Sequence, residues 1–111
     1  MIRKKQKKQS VDELTVGYEV WLVNSLKKKK RAAHYLQVAL DSYQEDGCAD
    51  VLLLAFRRVT EAQGGIAKLA ECAQLNRESL YKTLSANGNP KLQTLGVLLK
   101  ALGFRLSIKP A

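Results

Sequence analysis

Cysteine and histidine are nearly absent from this chain of 111 residues, which has two Cys and one His. Cys48 and Cys72 cannot build a disulfide framework. Even with His34 they are too few for a structural zinc cluster, so a reducing compartment and no metal are expected. No apolar run approaches the roughly 20 residues needed to span a bilayer. The basic opening RKKQKK is followed by the polar QSVDE and no apolar h-region, so neither a membrane span nor a secretory signal is expected. There is no phosphate cradle of the GxxxxGK type, and one histidine with scattered Ser and Thr leaves nothing to activate a nucleophile. An enzyme or a cofactor-dependent protein is therefore not expected.

Acidic residues are also in deficit. Ten Asp and Glu face nineteen Lys and Arg, and the net charge of +9 suits a polyanionic partner as well as a plainly solvated basic surface. The distribution says more than the total. Residues 3–8 and 27–31 each carry five positive charges, whereas 11–26 and 32–47 each sum to −3. From Cys48 onward nine basic residues outweigh four acidic ones, the balance of a surface that faces nucleic acid. The length and the 46% apolar content allow one modest core. Residues 1–10 have almost nothing to bury and read as a disordered basic arm, serving either phosphate contact or solubility.

What the chain does have is concentrated between Gly64 and Gly103. Apolar residues there fall at the spacing of three short helices, separated by Gly64-Gly65, Gln74-Leu75-Asn76 and the run from Ala86 to Pro90. Ile66, Leu69, Ala70 and Ala73 share one face of the first helix, and Lys68 and Glu71 point outward. Asn76 is positioned to cap the second, in which Leu80 and Leu84 supply the buried stripe. Arg77, Glu78, Ser79, Tyr81 and Lys82 remain on the outer face near its N-terminus. This pattern reads as a helix-turn-helix with one packing helix, and in such proteins that end reaches base edges in the major groove. Gly64-Gly65 is simply a helix break. Cys72 reads as a small core hydrophobe, and His34 as a surface or boundary residue.

Three further helical patterns lie upstream. In 11–26, Leu14, Tyr18, Trp21, Leu22 and Leu26 share a helical face, but Gly17 and three valines keep open a strand over 18–23. In 28–43, Ala32, Tyr35, Leu36, Ala39, Leu40 and Tyr43 form an amphipathic stripe that QEDG stops. In 49–62, VLLLAF is apolar nearly all round, as in the central helix of a bundle. The tail alternates over 104–108 and reads as a short half-buried strand. Such a strand needs a partner, which can be its own copy across a dimer axis, the N-terminal segment or a second protein. The first is preferred to the other two, and the alternative to all three is an irregular tail on the helices.

LAECAQLNRESLYKTLSANGNPKLQTLGVLLKALGFRLSIKP resembles the helix-turn-helix of the Cro/repressor-like (Xre) class. More narrowly it resembles the HigA-like addiction-module antidotes encoded beside RelE/ParE-superfamily toxins. YEVWLVNSLKKKKRAAHYLQVAL resembles the N-terminal segment of the same group, so the resemblance covers residues 18–109. Two positions depart from the pattern. Gln74 stands where the family usually has Gly, a turn strained by about 1 kcal/mol if it needs positive φ. Gly65-Ile66 stands where a polar Thr or Gln usually contacts phosphate.

The resemblance implies an all-α fold, a small helical bundle, to which the tail reading adds a short C-terminal β-strand. It also implies a three-part organisation: arm 1–10, toxin-facing helical segment 11–47, and DNA-binding domain 48–111. The expected function is an antitoxin that neutralises a RelE/ParE-like toxin and represses its own operon as a cytoplasmic, nucleoid-associated homodimer on double-stranded DNA. The alternative is a stand-alone small repressor. Asn76, Arg77, Glu78, Ser79, Tyr81 and Lys82 are the candidate DNA contacts, with Lys68 and Lys91 beside them. Arg77 suits guanine, and Ser79 a base or a phosphate. Tyr81 and Lys82 suit phosphates, and Glu78 suits either a cytosine amino group or a pair with Lys82. Tyr18, Glu19, Trp21, Leu22 and Leu26 are the candidate toxin contacts, with Asp12, Glu13, Asp41, Glu45 and Asp46 as complementary charges. Phe104, Leu106 and Ile108 are the candidate dimer contacts.

Overall fold

The VLLLAF run, read as apolar nearly all round, is covered on one broad side only, since Leu53, Ala55 and Phe56 are buried, Leu52 and Leu54 half-buried and Val51 51% exposed. The computed structural model describes residues 16–111. In chain order it contains α1 (helical over residues 16–25), α2 (Lys29–Asp46), α3 (Asp50–Ala62), α4 (Ile66–Ala73), α5 (Arg77–Thr83) and α6 (Leu92–Leu102). On α3, Leu53, Ala55, Phe56 and Val59 are buried, with α2 and α4 packed against it, while α5 and α6 pack on α4. One core cluster takes residues from all six helices. The arm, together with Val11, Asp12, Glu13 and Leu14, lies outside the described residues.

The open choice between helix and strand for α1 resolves as helix. Residues 16–25 are helical, the Leu26 N–H donates to the Leu22 carbonyl at 3.0 Å, and Leu22 and Leu26, one turn apart, are 5% and 1% exposed. Both ends of α1 are tied down from α3. Arg58 donates to the Tyr35 hydroxyl (3.0 Å) and to the Glu19 carboxylate, linking three helices. Just past α3, Gln63 donates to the carbonyls of Leu26 (2.8 Å) and Lys27 (3.1 Å). Burial pushes the Tyr35 hydroxyl above its ordinary pKa, and nearby Tyr18 adds to the shift.

α2 outlasts its expected end by three residues because its stop is Gly47, at φ 72°, whose N–H donates to the Tyr43 carbonyl at 2.7 Å. Its N-terminus has no side-chain cap and lies in the basic run. It is fastened through Lys29, whose ammonium donates to the Leu102 carbonyl at the end of α6 and sits 5.4 Å from the Phe104 ring centroid. A cation is favourable there because the last carbonyls of a helix lack backbone partners.

Two sequence expectations are corrected here. Residues 104–111 form no strand. The Phe104 N–H donates to the Leu99 carbonyl at 2.7 Å, closing the end of α6, while Leu106 is 50% and Ile108 98% exposed. Alternation makes a strand only where a neighbouring strand takes up its backbone groups, and the described residues offer no sheet edge. Phe104, Leu106 and Ile108 are therefore not part of a strand. Cys72 is exposed rather than a core hydrophobe, because Leu69 and Ala70 fill the inward face of α4 and Cys72 falls on its uncovered flank.

The turn between α4 and α5 contains Gln74 at φ 57°, ψ 46°, the one non-glycine residue with positive φ among the described residues. An L side chain is strained there by roughly 1–2 kcal/mol, partly offset in any comparison with Gly by glycine's larger loss of chain entropy. Gln74→Gly should therefore stabilise the fold by about 0.5–1 kcal/mol, read as a higher urea midpoint at unchanged slope. A lower midpoint would contradict the strain assigned to this turn.

Candidate nucleic-acid interface

Seven residues are too few for a stable isolated helix, so α5 depends on its caps and its leucines. Asn76 has extended backbone (φ −71°, ψ 129°), and its Oδ1 accepts from the Ser79 N–H at 3.0 Å. Leu80 and Leu84, 2% and 0% exposed, anchor the inner face. At the far end, Ser85 Oγ donates to the Lys82 carbonyl at 2.7 Å and the Arg57 guanidinium donates to the Leu84 carbonyl. Arg57 thus fixes the C-terminal end of α5 to α3. Immediately beyond, the chain passes so close that a Cβ on Gly88 would lie 1.9 Å from the Thr83 carbonyl oxygen, so only glycine fits.

With the leucines inward, Arg77, Glu78, Ser79, Tyr81 and Lys82 are all exposed, together with Asn76. These candidates share one short helix and its cap. Glu78 forms no ion pair with Lys82, since among the described residues the salt bridge present is Arg58–Glu19. Lys68 is exposed on α4 and Lys91 is the exposed N-cap residue of α6, so both lie on the elements that flank α5. The arrangement presents a basic and hydrogen-bonding surface on a rigidly held helix.

The second candidate surface divides. Tyr18 and Trp21 are 53% and 54% exposed, with ring centroids 5.8 Å apart, and the Arg31 guanidinium lies 5.8 Å from the Trp21 centroid. Leu22 and Leu26, expected beside them, are in the core instead. α1 can attach to α2 and α3 only by burying its leucine stripe, so these two are unavailable to a partner. Glu19 is partly exposed and pairs with Arg58. Asp41, Glu45 and Asp46 are exposed on α2. Sequence reasoning missed Arg57 and Arg58 as positioning residues. Their signal was an Arg pair directly after the apolar run VLLLAF, where a charged group beside the core persists only with partners.

Fold and site together define a small all-helical protein that presents a capped polar helix, with no described helix long and apolar enough to cross a membrane. The chain belongs to the family of probable addiction module antidote proteins, whose model matches residues 19–110. An antidote acts on a toxin, so membership implies a toxin partner in general. Over 74 residues the chain is 28% identical to an uncharacterized protein of Haemophilus influenzae, covering 67% of this chain and 75% of that one. No solved structure matches it.

Because α5 rests on its cap, Asn76→Ala should lower stability by about 1 kcal/mol, whereas Asn76→Ser or Asn76→Asp should retain most of it. Equal losses for all three in urea unfolding would remove the cap from this account.

Proposed function

We propose that this protein is an antitoxin that binds and neutralises a toxin of the RelE/ParE superfamily and represses its own operon by sequence-specific DNA binding. The DNA reading is carried by α5, in which a capped N-terminus, two buried leucines and five outward polar or basic side chains occupy one short helix. Paired with α4 across the three-residue turn, it reads as the recognition helix of a Cro/repressor-like helix-turn-helix. In that reading Arg77 and Ser79 meet base edges, and Tyr81, Lys82, Lys68 and Lys91 meet phosphates. Residues 48–111 then act on DNA and 11–47 face the toxin, in the cytoplasm on the nucleoid.

The toxin reading draws on family membership and on α1, which leaves Val16, Tyr18, Val20 and Trp21 uncovered, each more than half exposed. Apolar side chains grouped in this way mark interaction surfaces. The alternative, a stand-alone repressor, is favoured by the burial of Leu22 and Leu26, which shows part of this segment completing the fold.

On an operator with half-sites about 10 bp or a multiple apart, Arg77→Ala should cost roughly 1–3 kcal/mol at one base position. Lys82→Ala should instead weaken all sequences alike and flatten the salt dependence. Footprinting with sequence variants decides it, and an Arg77→Ala protein with unchanged preference would exclude α5 as the reader. For the toxin surface, Trp21→Ala should weaken capture of the toxin encoded beside this chain by at least about 2 kcal/mol while leaving operator affinity within about 0.5 kcal/mol. Equal toxin recovery by wild type and Trp21→Ala would leave the repressor reading standing.

A further inference from the structure

The charges of α2 are arranged against its own dipole. Its first turn contains no acid and its last turn no base, while the basic run 27–31 spans its start and Glu45 and Asp46 close it. Cations at a helix N-terminus and anions at its C-terminus are each unfavourable, and charges segregated end from end cannot relieve one another through i,i+4 pairs. An outward stripe makes the pattern explicit. Arg31, His34, Val38, Asp41 and Glu45 recur at three- and four-residue spacing on α2, Lys27 stands in the turn just before it, and all are exposed, Val38 by 53%. Beside the stripe, a groove of about 330 Å³ runs between α1 and α2, floored by Leu22 and Leu26 and edged by Arg31, His34 and Val38.

We infer that this stripe is a self-complementary interface on which α2 of a second copy lies antiparallel. The register follows from the spacing. With the two-fold axis between His34 and Val38, His34 of each copy faces Val38 of the other, Arg31 faces the partner's Asp41, and Lys27 faces the partner's Glu45. Arg31 and Lys27 then each meet an anion, and each basic N-terminus lies against the partner's acidic C-terminus, where both charge and dipole are satisfied. Asp41 is oriented for this role, since Gln37 donates to its Oδ1 at 2.9 Å and leaves Oδ2 for a guanidinium. The occupant must carry charge that runs opposite to α2 along its length. A uniformly acidic or uniformly basic partner meets repulsion at one end, which singles out the second copy. The pairing would supply a two-fold axis without a C-terminal strand, and it does not depend on whether α5 reads DNA.

Sedimentation velocity of the full chain over a micromolar to sub-millimolar series, at low and high salt, tests this. Wild type should dimerise, and more weakly at high salt. Lys27→Glu with Arg31→Glu, and separately Asp41→Lys with Glu45→Lys, should each weaken self-association at least about tenfold, because every cross-axis pair becomes repulsive. The two double variants mixed together should associate again, and so should the quadruple variant alone. Circular dichroism separates folding from association, since acids at the start of α2 suit its dipole and the first double variant should keep its helix. A monomeric wild type, variants that associate like wild type, or a mixture that stays monomeric would each overturn the pairing. If reversal of Lys27 and Arg31 lowers affinity for DNA of any sequence but leaves sedimentation unchanged, the basic end is a phosphate surface and the pairing is likewise overturned.

Discussion

The apolar surface of α3 is the constraint on which the other elements depend. Leu53, Ala55, Phe56 and Val59 are buried, and no single neighbour can cover side chains that project over so wide an arc. α2 and α4 pack on this helix directly, and α1 joins the same core through Leu22 and Leu26. Each buried leucine contributes roughly 1.5–3 kcal/mol, so the segment from α1 to α6 forms one core. α3 also carries Arg57 and Arg58, whose guanidinium groups reach outward from the core to α5 and to α1. The helix that holds the interior together therefore also aims the two surfaces proposed to act on other molecules.

That coupling explains why the surfaces differ in character. α5 is short and held at three points, by the Asn76 cap, the buried Leu80 and Leu84, and the Arg57 contact with the Leu84 carbonyl. Its outward side chains thus project from a fixed frame, as base readout requires. α1 is tied down at both ends from α3 as well, but it exposes aliphatic and aromatic side chains around the stripe that it buries. The two surfaces proposed for these tasks lie on different helices, α5 and α1.

Charge follows a similar division. Of the acidic residues expected to face a basic toxin, Glu19 pairs with Arg58, while Asp41, Glu45 and Asp46 are exposed on α2 with the basic run at its other end. Lys29 leaves that run to close the end of α6. Net charge fixes neither assignment, because the folded geometry decides which charges are internal partners and which remain for solvent, nucleic acid or protein.

Periodicity and capping are local properties, and what depended on them was legible in the sequence. The helices over α2 to α6, the Asn76 cap, the leucine stripe of α5 and the break at Gly64-Gly65 all follow from interactions spanning four residues or fewer. The strained turn at Gln74 was foreseen as a condition, and its φ of 57° meets it. Family membership was legible as well, because the helix-turn-helix pattern and the upstream segment extend over nearly the same residues that the family model matches. What only the tertiary structure decided were the competitions between distant groups. Leu22 and Leu26 share a helical face with Tyr18 and Trp21, and whether that face meets a partner or the core depends on α2 and α3, not on α1. Alternation at 104–108 specifies side-chain direction but supplies no neighbour for the backbone, so no strand forms. Cys72 stands beside buried residues in sequence yet falls on the flank that no other helix covers. In each case the sequence determined which surfaces a helix has, and the arrangement of the remaining helices determined which of them were covered.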